Sequence, residues 1–198
     1  MAKKPPLRKQ LNGHPSGSVN CGPKTVQMGV NSRTDNTKNP SVDTLRKRMG
    51  RPNGQPTNVW NSEAAIDGWA IASGRKPLAY KRLHNIQSVK DVQKANADKS
   101  PGQFIQVAIS YRKWNEVVSK SGSSTFVGGH SIGILGQKKW NDGTVVWLVY
   151  DPLEDARRGG IPQGPKWRPR WKVITAMEAF YGQKGKCYAG VFTGGGKK

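Results

Sequence analysis

Apolar positions along the chain come in short groups separated by Gly, Pro and polar residues, and their spacing changes character near the midpoint. In the first half the spacing is helical. Val26, Met28 and Val30 follow Cys21, with Asn20 placed to cap the helix start and Pro23 in the first turn, where a missing N–H costs nothing. Gly29 interrupts the group, so this helix is expected to be short. Ser41 reads as the cap of a second helix with Val42, Leu45 and Met49 on one face, ended by Gly50. A third is expected over 62–73, with Ala65, Ile66, Trp69 and Ala70 inward. A weaker one follows over 86–98, where Val89, Val92 and Ala95 recur at helical spacing.

The second half alternates instead. Strands are expected over 103–110, with Phe104, Ile105, Val107 and Ile109, and over 129–135. The run 144–150 is continuously apolar, which suits a strand buried on both faces. Asn141-Asp142-Gly143 marks a hairpin turn before it. A helix over 173–181 and a strand over 188–192 close the pattern. Helices first and strands second give an α+β class, N-terminal helices packed on a C-terminal antiparallel sheet. The expected division is an irregular basic arm 1–19, one domain 20–193 (mainly helical over 20–98, mainly sheet over 99–193), and a flexible tail 194–198.

Composition adds charge to this picture. Among 198 residues, 33 Lys and Arg oppose 12 Asp and Glu, a net +21, with denser stretches at 3–9, 46–51, 157–172 and 184–198. Such an excess implies an anionic partner: nucleic acid, a cell-wall polymer or an acidic protein surface. It also serves plain solubility. Trp140, Trp147, Trp167 and Trp171 interleave with basic residues late in the chain, a pattern that could support nucleic-acid contact but more often belongs to an ordinary core. No apolar run is long enough for a membrane span, and the basic start at Met1–Pro6 develops no apolar stretch of a secretory signal. Cys21 and Cys187 are too few for a disulfide framework, although counting alone leaves one bridge open. No Cys/His cluster suits a metal, and no cofactor is implied.

Three local patterns carry chemistry. In Asn20-Cys21-Gly22-Pro23 a cysteine opens a helix, where unpaired amides favour thiolate over thiol. At such a position a thiol pKa can fall from roughly 8.5 into the range of about 3.5–7.5. Gly22 leaves space for a substrate backbone beside the sulfur, and Lys24 is expected to face water. In Gly128-Gly129-His130-Ser131-Ile132-Gly133 a histidine starts a strand among small residues. The other histidines, His14 and His84, lie beside no apolar strand. In Val149-Tyr150-Asp151-Pro152 an acid ends the next strand, placed to orient an imidazole and stabilise its protonated form. Each pattern alone also has a structural explanation: a buried cysteine, a core histidine, a turn-starting Asp. In this order along one chain they are hard to assign to three independent structural roles.

These pieces resemble the papain-like cysteine peptidases, in particular the branch that processes bacteriocins at double-glycine leaders. The matching residues are Asn20-Cys21-Gly22-Pro23, Gly129-His130-Ser131-Ile132-Gly133-Ile134-Leu135 and Tyr150-Asp151-Pro152. The resemblance implies a papain-like fold and a peptide or protein substrate. It also implies a catalytic triad of Cys21 as nucleophile, His130 as general base then acid, and Asp151 as orienting group. The family's oxyanion-hole Gln has no counterpart here, since its position holds Pro15; Gln10 and Asn12 are the nearest substitutes. Such a donor is worth on the order of 10²–10³ in rate. Its absence leaves room for a weakly active or inactive scaffold, structural or nucleic-acid-associated. Amidase action on cell-wall peptide stems is a further enzymatic alternative. Small basic proteins of this kind resemble those encoded among bacteriophage particle genes, which implies a virion component with other virion proteins as partners, or the bacterial host cytoplasm.

Overall fold

The computed structural model describes residues 20–34, 39–51, 55–66, 77–95, 103–119, 128–153 and 164–194. Helices α1 (Cys21–Arg33), α2 (Val42–Arg48) and α3 (Asn61–Ile66) precede β1 (Ala79–Asn85) and α4 (Ile86–Ala95). Then come β2 (Ile105–Ser110), α5 (Tyr111–Trp114) with a π-helical turn Asn115–Ser119, and the hairpin β3 (Gly129–Lys139) and β4 (Val145–Tyr150). Strand β5 (Lys166–Pro169), helix α6 (Arg170–Tyr181) and β6 (Lys186–Thr193) complete the described elements. The six strands form one antiparallel sheet in the order β1-β6-β2-β3-β4-β5.

Both faces of that sheet are covered. On one, Val26, Met28, Val30, Leu45 and Ile66 of the first three helices pack against Phe104, Leu148, Tyr150 and Phe192. On the other, α4, α5 and α6 bring Val89, Trp114, Val173 and Met177 against Ile105, Val107, Ile132, Trp147 and Val149. Double coverage explains why β2 and β4 are buried almost throughout rather than at alternate positions. The expected picture of N-terminal helices on a sheet therefore describes one face; helices from later in the chain cover the other.

Several expectations change in detail. Helix α1 runs thirteen residues, and Gly29 does not break it. A Cβ there would collide with the rings of Phe192 and Phe104, so this glycine serves close helix–sheet approach. Ser41 caps α2 by accepting a hydrogen bond from Thr44 N–H, and Gly50 follows at φ 63°, as a helix stop requires. Helix α3 begins as expected, but 67–76, with Trp69 and Ala70, lie outside the described residues, as do the arm 1–19 and the end of the tail. Strand β3 extends to Lys139, beyond the expected 135. Two strands were not anticipated, β1 within the helical half and β5, and both are sheet edges.

Candidate active site

Cys21 opens α1, His130 is the second residue of β3, and Asp151 directly follows β4. Pairing of Gly133 with Tyr150 sets the start of β3 beside the end of β4. The hydroxyl of Thr25, one turn into α1, donates to the carbonyl of Cys21 (2.8 Å) and to that of Ser131 (3.0 Å), so it ties the helix start to the strand. The three residues read from separate islands of sequence thus meet.

His130 Nε2 lies 2.7 Å from Asp151 Oδ1, with both side chains buried. Since Asp151 occupies Nε2, the ring nitrogen left for the Cys21 thiol, which hydrogen-bonds this imidazole, is Nδ1. The carboxylate accepts two further bonds, from Trp114 Nε1 to Oδ2 (3.0 Å) and from the Leu153 backbone N–H to Oδ1 (2.9 Å). Tyr111 stands edge-on to the imidazole with ring centres 5.4 Å apart. Carboxylate and ring are therefore held from several sides.

Burial alone would raise a thiol or a carboxylate and lower an imidazole. Here all three groups move against that tendency. Despite burial, the charge and hydrogen bond of His130, then the Leu153 amide and Trp114, hold Asp151 below the usual carboxylate range. His130, also against burial, is pushed up to about 10, first by the Asp151 charge and hydrogen bond and then by Cys21. The Cys21 thiol is held below its ordinary value in spite of burial, by the His130 hydrogen bond and charge and by the amides of Ser131 and Gly22. Each of the two partners thus favours the charged form of the other, thiolate on Cys21 and imidazolium on His130. Cys187, by contrast, is a free core cysteine that burial pushes up to about 12.

Asn20 occupies the cap position of α1 without capping it. Its Oδ1 instead accepts from Nε of Arg46 (2.8 Å), a guanidinium only 1% exposed on α2. Nη1 of the same Arg46 donates to the carbonyls of Gln55 (2.9 Å) and Arg51 (3.3 Å). One buried cation thus fixes the residue before Cys21 together with the carbonyls of Arg51 and Gln55. Burial lowers the Arg46 pKa, against which the nearby Cys21 and Asp43 charges raise it.

A cleft of about 410 Å³ opens at Cys21 and His130. Its walls include Thr57, Trp60, Gln106, Ser131, Phe180 and Tyr188, and among the described residues no Lys, Arg, Asp or Glu lines it. Gly22 does not leave open space, contrary to expectation: the Thr57 side chain fills it, its Cβ 3.2 Å from where a glycine-borne Cβ would stand. The Thr57 hydroxyl itself is buried at the cleft wall without a hydrogen-bond partner among the described residues. Gln106 is fully committed, donating to Ser131 Oγ (2.9 Å) and accepting from Tyr80 OH (3.1 Å). Lys24, expected in water, is buried at 6% exposure on α1. Gln10 and Asn12 lie outside the described residues. Trp114, Arg46 and Thr57 went unread because none stands in a motif; only the position of Arg46 beside Leu45 on α2 hinted at burial.

Sheet order, helix placement and the Cys–His–Asp meeting point allow a comparison with known proteins. The mixed helix and antiparallel-sheet fold resembles that of a solved peptidase domain. The crystal structure of the peptidase domain of Streptococcus ComA, a bi-functional ABC transporter involved in a quorum-sensing pathway, is similar with a TM-score of 0.53. The match covers 96% of this chain and 98% of that one at 12% sequence identity. No protein-family model and no curated protein matches the chain. Nothing in the structural match supports an association with phage particles. Among the described residues, no helix is long and apolar enough to cross a membrane and no cluster of ligating side chains suits a metal.

Proposed function

We propose that the chain is a papain-like cysteine peptidase acting through a Cys21–His130–Asp151 triad. The observation that carries this reading is the buried 2.7 Å contact of His130 with Asp151, at an imidazole that also bonds the Cys21 thiol in an open cleft. Likeness to a peptidase domain supports it at the level of the fold.

In this mechanism the Cys21 thiolate attacks the carbonyl carbon of a peptide bond, and the carbonyl pair moves onto oxygen. As that oxyanion collapses, the imidazolium of His130 gives its Nδ1 proton to the leaving amine, the C–N bond breaks, and a thioester remains. Water then attacks the thioester with His130 accepting its proton; the thiolate leaves and the carboxylic acid is released. Asp151 keeps Nε2–H engaged throughout and stabilises the charged ring. Amide hydrolysis on cell-wall peptide stems would follow the same steps.

The test is alkylation of Cys21 by iodoacetamide as a function of pH, in a Cys187→Ala background, with and without His130→Ala. Rapid reaction well below pH 7 that His130→Ala abolishes is the expected result. Reaction at the pH of an ordinary thiol, indifferent to His130, would leave the fold as a basic scaffold without this chemistry.

A further inference from the structure

The tryptophans that interleave with basic residues late in the chain fall into two sets. Trp147 is fully buried in the core beneath α6. Trp140 and Trp171 are 40% and 57% exposed. Strand register gathers the exposed pair. Lys138 and Lys139 oppose Val146 and Val145. Val146 opposes Pro169 on its other side, and Arg170 then opens α6. Lys138, Lys139, Trp140, Arg170, Trp171 and Lys172 therefore share one corner of the molecule. Two ammonium groups there sit over indole faces, Lys138 Nζ 4.5 Å from the centre of the Trp167 ring and Lys172 Nζ 5.5 Å from that of Trp171.

The fold does not explain this placement. Arg170 and Lys172 stand in the first turn of α6, with no acidic residue in that turn, where positive charge opposes the helix dipole. Asp142, in the adjacent hairpin turn, gives its carboxylate to the Thr144 N–H at 2.8 Å. Among the described residues none of Lys138, Lys139, Arg170 and Lys172 enters an ion pair. The cations add to solubility, but exposed indoles detract from it, and neither buries apolar surface in the core.

We propose that this corner binds single-stranded nucleic acid, its cations on the phosphates and Trp171 and Trp140 stacked on bases. An acidic protein or a ring-free polyanion would engage the charges but leave both indole faces unused. Lys139 lies nine residue steps along β3 from His130, roughly 30 Å at about 3.4 Å each. A bound strand would therefore leave the cleft open, and the inference stands independently of the peptidase reading.

The experiment is fluorescence anisotropy of a labelled oligothymidylate titrated with the full chain over a salt series, with heparin and poly-glutamate as competitors. Trp171→Ala is expected to weaken binding by about fivefold or more. Replacing Lys139, Arg170 and Lys172 together by Gln should reduce the salt slope by about 2. Both variants should alkylate at Cys21 like the unaltered protein, which shows that they are folded. Binding unchanged in both variants would overturn the proposal, because the site would then lie elsewhere on the chain. Binding lost with the cations but indifferent to Trp171→Ala, and displaced as well by heparin as by unlabelled oligothymidylate, would also overturn it, since the corner would be a general polyanion surface.

Discussion

The two ends of the β3–β4 hairpin solve opposite electrostatic problems. At one end His130 and Asp151 are withdrawn from water, and each charge is met by a partner at hydrogen-bond distance. At the other, Lys138, Lys139, Arg170 and Lys172 crowd together with no carboxylate paired to them among the described residues. Burial makes the difference. In a low dielectric an unmet charge costs several kcal/mol, so the buried end must be complete. At the surface water screens like charges, and an incomplete cluster is tolerated. The hairpin teaches that completeness marks the end built for internal chemistry, and incompleteness the end open to a partner.

This contrast predicts unequal consequences for substitution. The largest belongs to Asp151→Ala, which strands a buried imidazole, the Trp114 N–H and the Leu153 N–H. Unfolding in denaturant should show a loss of about 3–5 kcal/mol, and Cys21 should alkylate as an ordinary thiol. A loss below about 1 kcal/mol would mean that the buried end does not depend on its partners. Arg46→Met comes next, leaving Asn20 Oδ1 and the Gln55 carbonyl without their donor, for about 2–3 kcal/mol and a Cys21 alkylation profile displaced to higher pH. Trp114→Phe removes one bond to a charged acceptor, about 1.5–3 kcal/mol, and should bring the Asp151 titration up. The smallest effect is expected at the open end, where replacing Lys139, Arg170 and Lys172 by Gln should change stability by no more than about 0.5 kcal/mol.

The pH dependence of stability sharpens the same comparison. His130 is raised in the folded protein, so its contribution is complete below roughly pH 6.5, the ordinary imidazole value, and is lost as pH rises toward about 10. Asp151 is lowered, so its contribution is complete above about pH 4 and is lost on acidification. Asp151→Asn should flatten both limbs in a denaturant series across pH. Unchanged limbs would assign the pH dependence to groups outside the triad.

What the sequence discloses follows from the same physics. Cys21, His130 and Asp151 were readable because each sits at an element boundary with a recognisable local pattern: a helix start, a strand start among glycines, a strand end before Pro152. Strand β4 was readable from its unbroken apolar run, and β2 from the apolar positions Phe104, Ile105, Val107 and Ile109, although the burial of β2 on both faces was not. Edge strands were not. Ala79–Asn85 alternates only weakly, with Lys81, Arg82 and His84 exposed, and Lys166–Pro169 is four half-buried residues ending in proline. An edge has ladder partners on one side only and needs little apolar surface, so its sequence resembles a loop. Partners that reach the site from a distance, Trp114, Arg46 and Thr57, left no local pattern because only the folded chain brings them near.

Sheet order carries a consequence for how the molecule assembles. Strand β6, the last described element, does not lie at an edge but between β1 and β2. Until residues 186–193 are in place, β1 has no partner in the sheet, and β2 lacks one of its two neighbours. Pairing Ala79 with Thr193 closes a loop of more than a hundred residues, a contact of high sequence separation that slows folding. During synthesis, therefore, Cys21, His130 and Asp151 all leave the ribosome well before the sheet that aligns them can close. A chain emerging in order would complete this sheet late, only when β6 slots into the middle.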